Sequence, residues 1–129
     1  MRSETEIITL NTTNSTNSYA KENINELADK TVIRAINQTD GRGRFSRKWI
    51  DLGNENLFLT FVLKPSNFFE QKFANLTQYL SVILAKTIEK YKVATQIKWP
   101  NDVLVNNKKI AGILCETIMQ GNNFKGLAL

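Results

Sequence analysis

The sequence contains no histidine, a single cysteine, two prolines and six glycines in 129 residues. Without histidine there is no Ser-His-Asp or Cys-His pair, no imidazole base and no Cys-His zinc site, which removes a wide range of hydrolytic and metal chemistry. The lone Cys115 cannot close a disulfide within the chain. No run approaches the roughly twenty apolar residues of a membrane helix, and the start Met1-Arg2-Ser3-Glu4-Thr5-Glu6 lacks the apolar run of a signal peptide. A reducing cytoplasm is therefore the expected location. With 42 % hydrophobic and 22 % charged residues, the composition falls with soluble globular proteins and outside the disordered, collagen-like and coiled-coil classes. A chain this long buries about two thirds of the surface its unfolded form exposes, enough for a real core.

Charge is present but unevenly focused. Seventeen Lys plus Arg against twelve Asp plus Glu give a net +5, a weak pointer to an anionic ligand. The sharper signal is that Arg42, Arg44 and Arg47 fall within six residues while the lysines are scattered along the chain.

No internal repeat and no Pro- or Ser-rich linker divides the sequence, which reads as one domain. Ile7 to Leu10 is a strand candidate. Asn14-Ser15-Thr16-Asn17 then offers four N-cap residue types before Ala20, Ile24, Leu27 and Ala28 at helical spacing, so a helix is expected over about 17–29. Thr31 to Asn37 reads as a strand and Gln38 to Lys48 as a loop. Asn56 to Lys64 is almost continuously apolar, the pattern of a strand covered on both faces, and Pro65 closes it. Asn67 with Glu70 forms a capping-box pattern ahead of a long helix whose apolar stripe is Phe69, Phe73, Leu76, Leu80, Ile83, Leu84, Ile88 and Tyr91. Strands follow at 95–98, 103–105 and 109–118, the last two joined by an Asn106-Asn107 hairpin. Phe124 to Leu129 reads as a strand with no turn or cap after it, so the expectation is the front part of a longer domain.

Three constellations could carry chemistry. In Gln38-Thr39-Asp40-Gly41-Arg42-Gly43-Arg44-Phe45-Ser46-Arg47-Lys48-Trp49, the glycines allow backbone N–H groups to turn toward one point, and the arginines add bidentate forks for phosphate or carboxylate. A nucleotide pocket, a nucleic-acid contact and a solvated turn all fit this loop, which is neither a Walker loop nor Gly-x-Gly-x-x-Gly. In Ile97-Lys98-Trp99-Pro100-Asn101-Asp102, Pro100 holds Trp99 extended and ends the pairing, leaving Lys98 on rigid backbone at a strand end. That lysine points into a cleft or is an edge lysine beside a structural turn. Asn101 and Asp102 read as turn residues, with Asp102 as a Mg²⁺ ligand the less favoured alternative because no second carboxylate is near in sequence. In Lys109-Ile110-Ala111-Gly112-Ile113-Leu114-Cys115-Glu116, the mid-strand Gly112 marks a close approach, Cys115 packs as a small apolar residue, and Glu116 is solvent-facing or paired.

Ser15-Thr16-Asn17, Gln38-x-x-Gly41-Arg42-Gly43-Arg44-x-x-Arg47-x-Trp49, Lys98-Trp99-Pro100-Asn101-Asp102 and Lys109-Ile110-Ala111-Gly112-Ile113-Leu114, in this order and spacing, closely resemble the catalytic domain of biotin protein ligases. The family loop usually carries a glycine where Ser46 stands and a small residue where Asp40 stands. The resemblance implies an α+β fold, a mixed β-sheet packed with helices like the class II aminoacyl-tRNA synthetase and biotin-lipoate ligase core. It implies ATP and biotin as substrates with Mg²⁺, activation of biotin to biotinyl-5′-AMP, and transfer to a lysine of the biotin carboxyl carrier protein of acetyl-CoA carboxylase. By the same resemblance, Ser15, Thr16, Asn17 and Gln38 bind the ureido end of biotin, and Gly41, Arg42, Gly43 and Arg44 form the loop that closes over biotin and the adenylate. Lys98 lies at the biotin carboxyl and α-phosphate, Arg44 and Lys98 are the catalytic charges with Arg47 in support, Trp49 covers the adenylate, and Gly112 leaves room for ligand. The metal ligands and the oligomeric state stay open, a homodimer included.

The family continues with a Gly-x-Gly-x-Asn segment and a C-terminal β-barrel domain, both expected beyond residue 129. The fourteen residues before Ser15 are too few for a helix-turn-helix, so no DNA partner is expected. Competing readings are a lipoate or octanoyl ligase or transferase of the same fold, an inactive biotin-binding fragment, and a non-enzymatic nucleic-acid binder using the arginine loop.

Overall fold

The computed structural model describes residues 4–53, 55–66 and 75–129. The chain divides into two compact units, residues 1–68 with 116–129, and residues 69–115.

In the first unit the elements run β1 (Ile7–Thr13), α1 (Thr16–Glu22), β2 (Val32–Gln38), a short β3 (Gly41–Arg42), one 3₁₀ turn (Arg44–Ser46), β4 (Lys48–Trp49) and β5 (Phe58–Leu63). In the second unit α2 (Leu76–Glu89) is followed by β6 (Gln96–Lys98), β7 (Asp102–Val105) and β8 (Lys108–Gly112). The chain then completes the first unit with β9 (Glu116–Gln120) and β10 (Asn123–Ala128). The first unit is a five-stranded sheet in the order β1-β2-β5-β10-β9. It is mixed: β1 and β2 are parallel, joined by a crossover through α1, and the other pairs are antiparallel. The expected α+β class and mixed sheet are what the structure has.

The core of this unit follows from alternation along the strands. In register, Ile8, Ile33 and Thr60 lie side by side, as do Leu10, Ala35 and Phe58. Ala20, Ile24 and Leu27 close the cluster with Ile33, Val62, Ile118 and Ala128. Burying an Ile such as Ile24 or Ile33 contributes about 1.5–3 kcal/mol. The opposite face is different. Phe61, expected on a strand covered on both sides, is 47 % exposed, and Ile36 on β2 and Met119 on β9 are exposed too. An unbroken apolar run in β5 thus reports a central position in the sheet rather than two covered faces.

Helix α1 ends seven residues short of the position expected from its apolar spacing, at Glu22. Asn23 caps it: its backbone N–H and its side-chain amide both donate to the Tyr19 carbonyl, at 3.1 and 2.9 Å. Such local side-chain bonding is why Asn terminates helices. A turn then carries Ile24 and Leu27 into the core, so the periodic apolar residues are buried without a continuing helix.

In the second unit, α2 turns Ser81 and Ala85 inward as its most buried residues. Ser81 Oγ donates to the carbonyls of Thr77 (2.8 Å) and Pro100 (3.2 Å). Ile83 and Tyr91, expected in the buried stripe, are exposed, Tyr91 lying past the helix end. The expected capping box Asn67/Glu70, with Phe69 and Phe73, lies outside the described residues. Strands β6, β7 and β8 form an antiparallel three-stranded sheet. The Asn106-Asn107 hairpin forms as expected, with both residues at positive φ (49° and 62°), as its tight turn requires.

The strand expected over 109–118 is two strands. Asn101 breaks it: the Ile113 N–H donates to the Asn101 carbonyl (3.0 Å), and the Asn101 side chain donates to the Ile113 carbonyl (3.1 Å). Both backbone groups of Ile113 are thereby withdrawn from strand pairing. β8 ends at Gly112, and β9 begins in the other unit's sheet.

Candidate functional site

The start of α1 is where the first unit buries its polar side chains. Ser15 caps the helix, its Oγ accepting from the Ser18 N–H at 3.3 Å, as the run of N-cap types predicts. Ser15, Thr16 and Asn17 are 4, 4 and 8 % exposed. Gln38, at the end of β2, reaches the same point: its Oε1 accepts from the Thr16 N–H at 2.9 Å and lies 3.4 Å from Thr16 Oγ1. From the middle of β5, the fully buried Thr60 donates to Asn17 Oδ1 (2.5 Å) and lies 2.8 Å from Thr16 Oγ1. Four polar residues from three elements are locked together within apolar surroundings, where unmet hydrogen bonds are costly.

Glu116, the first residue of β9, binds this cluster to the arginine loop. Its carboxylate accepts from Asn17 Nδ2 (3.1 Å) and pairs with Lys21 Nζ (2.6 Å) and an Arg42 guanidinium nitrogen (2.9 Å). The second terminal nitrogen of Arg42 donates to Ser18 Oγ at 2.6 Å. Burial pushes the Glu116 carboxyl up, but the hydrogen bonds from Lys21, Arg42 and Asn17 outweigh it, leaving its pKa below the ordinary 4.5.

The loop is more structured than a bare turn. β3 and β4 pair through Gly41 with Trp49 and Arg42 with Lys48. The Gly43 N–H donates to the Arg47 carbonyl at 2.6 Å, so it closes the loop rather than joining an anion nest. The left-handed positions are Phe45 (φ 57°) and Ser46 (φ 58°), not the glycines. Ser46 therefore occupies a conformation that glycine takes more easily. The half-buried Arg44 stacks its guanidinium 4.8 Å above the exposed Phe45 ring, while Arg47 is exposed. Gly41 is required for a steric reason: a Cβ there would stand 2.6 Å from Gln38 Nε2 and 2.8 Å from the Trp49 carbonyl oxygen.

A cavity of about 400 Å³ opens beside the loop, lined by Gln38, Thr39, Asp40, Gly41, Lys48, Trp49, Ile50 and Asp51. Asp51 shapes its wall. Its carboxylate accepts from the Gly53 and Gln38 N–H groups at 2.9 and 3.1 Å, and these backbone bonds hold its pKa below the ordinary value.

The remaining expected residues lie in the second unit. Lys98 ends β6, exposed and in register with Asp102. Asp102 is the first residue of β7 rather than a turn residue. Its buried Oδ1 makes no well-directed hydrogen bond, yet the Lys109 ammonium stands 2.9 Å away. At that separation charge attraction, not bond angle, satisfies the oxygen. Gly112, exposed at the end of β8, pairs with Asp102. Among the described residues no group of three or more His, Cys, Asp or Glu could hold a metal ion. Asp102 is already neutralised by Lys109, so these residues do not fit a resident Mg²⁺. No helix of the described residues is long and apolar enough to cross a membrane.

The structure thus joins Ser15, Thr16, Asn17, Gln38, Gly41 and Arg42 in one continuous set of contacts, with Gly43, Arg44, Arg47 and Trp49 on the adjoining loop. Sequence reasoning missed Thr60 and the central part played by Glu116. An isolated threonine in an apolar strand was the available signal for the first; the partners of Glu116 lie 74, 95 and 99 residues away, and no local pattern shows them.

The mixed sheet and its helices match the fold of solved biotin protein ligases. The family described as biotin/lipoate A/B protein ligase matches residues 9–129, and the chain belongs to it. It is 39 % identical over 93 residues to the bifunctional ligase/repressor BirA of Bacillus subtilis, covering 71 % of this chain and 28 % of that protein. It is 33 % identical over 124 residues to the biotin–[acetyl-CoA-carboxylase] ligase of Paracoccus denitrificans, covering 91 % and 49 %. The biotin protein ligase of Aquifex aeolicus in complex with biotin and ATP superposes with a TM-score of 0.76 at 30 % identity, covering 95 % of this chain and 50 % of that one. The biotin acetyl coenzyme A carboxylase synthetase of Helicobacter pylori, with bound biotinylated ATP, superposes at 0.74 and 27 % identity, covering 97 % and 58 %. The chain spans less than half the length of both relatives matched by sequence.

Proposed function

We propose that this chain carries the biotin- and adenylate-binding part of a biotin–protein ligase, acting in the cytoplasm on the biotin carboxyl carrier protein of acetyl-CoA carboxylase. The observation that carries this reading is the bond from the Thr16 N–H to Gln38 Oε1. It brings Ser15-Thr16-Asn17 and the Gly-Arg loop, separate in sequence, to one place. The family membership and the ligand-bound structural neighbours support it.

The chemistry needs no histidine. A carboxylate oxygen of biotin attacks the α-phosphorus of ATP, forming the C–O–P anhydride and expelling pyrophosphate. The ε-amine of the acceptor lysine then attacks the acyl carbon, an amide bond forms, and AMP leaves as the amine proton passes to solvent. Both steps require anions to be brought together and charge on phosphoryl oxygens to be stabilised, work suited to arginine, lysine and backbone N–H groups. In this proposal Ser15, Thr16, Asn17 and Gln38 bind the ureido end, and Arg44 and Lys98 supply the fixed charges, with Arg47 in support. Trp49 covers the adenylate and Gly112 leaves it space. Mg²⁺ enters as part of the nucleotide substrate.

Calorimetry with biotin, alone and with ATP, tests this directly. Saturable one-to-one binding of biotin, strengthened when ATP is present, is expected. The family also includes lipoate ligases, so lipoate serves as the control: lipoate binding without biotin binding would overturn the assignment.

A further inference from the structure

We infer that Glu116 is the positioning residue of the ligand site, acting through Asn17 and Arg42, and that the Arg42 side chain anchors the loop instead of contacting ligand. The inference rests on the biotin-site reading above. One carboxylate, 21 % exposed, receives Asn17 from the start of α1, Lys21 from its last turn and Arg42 from the loop. With Thr60 on Oδ1 and Glu116 on Nδ2, the Asn17 amide is held one way round, presenting its donor and acceptor in a defined order. On Arg42, Glu116 takes one terminal nitrogen and Ser18 the other. Both outer prongs of the fork are engaged within the protein, so the arginine serves to fix where β3 leaves the sheet. Without the carboxylate, Lys21 and Arg42 would stand as two like charges beside the same helix with nothing between them.

Glu116→Gln tests this, because it keeps the size and one acceptor oxygen but removes the charge. The dissociation constant for biotin should rise about tenfold, the scale expected when a charge-assisted bond that positions a binding group is lost. Arg42→Met should produce a similar rise, and the double variant no more than the larger single one, because both changes act on one contact. At saturating biotin, the rate of adenylate formation in Glu116→Gln should stay within about threefold of the parent, a split that a merely structural role would not give. A lower melting temperature with unchanged biotin affinity, or additive effects in the double variant, would overturn the inference while leaving the biotin site intact. If the parent chain itself binds no biotin, the proposed function fails, and this inference with it. If Glu116→Gln does not fold, Glu116→Asp takes its place: it keeps the charge on a side chain shorter by one methylene, and parental affinity in it would overturn the positioning role.

Discussion

The start of α1 and the loop from Gly41 to Trp49 sit side by side and are built on opposite principles. Around Ser15, Thr16 and Asn17 the polar groups are buried and mutually satisfied by Gln38, Thr60 and Glu116. The loop is held by a two-rung ladder, carries two non-glycine residues at positive φ and exposes Phe45 and Arg47. Regions with few buried contacts and strained backbone open at low free energy, whereas satisfied buried networks open only with the whole domain. On the proposed reading, the part that would recognise biotin is rigid and the part that would cover it is cheap to move.

The strongest way to break this contrast is Arg44→Gly. If the loop retains the adenylate, release of biotinyl-AMP should quicken about a hundredfold, the scale of losing one preorganised donor, while its formation changes much less. Equal retention in variant and parent, followed by adenylate release, would remove the loop from that task. Gly41→Ala strikes the joint between the two regions, because the added Cβ collides with both Gln38 and the Trp49 carbonyl. It should destabilise by about 1–3 kcal/mol and weaken biotin binding, measured by urea unfolding and calorimetry. Thr60→Val, nearly isosteric, strips the donor from Asn17 inside the rigid region and should cost about 1–3 kcal/mol in urea unfolding. A loss below half a kcal/mol would mean that the cluster is less tightly coupled than its distances imply.

Acid provides a smaller test. Because the folded state lowers the Glu116 pKa below 4.5, its ionised form contributes stability above that value. The contribution fades as pH falls through the lowered folded pKa. The urea midpoint of the parent should therefore drop on acidification by more than that of Glu116→Gln. The smallest effect is expected at Ser46→Gly. Relief of a left-handed serine, offset by the greater freedom of an unfolded glycine, should stabilise by at most about 1 kcal/mol, seen as a slightly higher melting temperature.

Local chemistry was legible and long-range pairing was not. The cap at Ser15 and the Asn106-Asn107 hairpin follow from residue types within a few positions, whereas the mixed sheet was expected only from the resemblance of motifs spread along the chain. The early stop of α1 depends on an asparagine bonding its own helix, against an apolar spacing that continues past it. The break after Gly112 depends on Asn101, twelve residues earlier, and the part played by Glu116 on partners even more distant. The concentration of glycine and arginine in the loop stood out in the sequence with a nucleotide pocket, a nucleic-acid contact and a solvated turn all open, and only the resemblance singled out one of them; its use of Phe45 and Ser46, rather than glycine, for the reversal was not legible.

The β7–β8 hairpin carries one residue more than its ladder needs. Val103 pairs with Ala111 and Leu104 with Lys109, so Ile110 is left over and bulges outward, 47 % exposed. Anchored by its asparagine tip at one end and by the Asn101–Ile113 clamp at the other, the hairpin can absorb that surplus only by sliding the rest of β8 along by one place. Gly112 consequently comes to rest opposite Asp102, leaving bare backbone across from the carboxylate. A supernumerary isoleucine has become a spacer that decides which neighbour has no side chain.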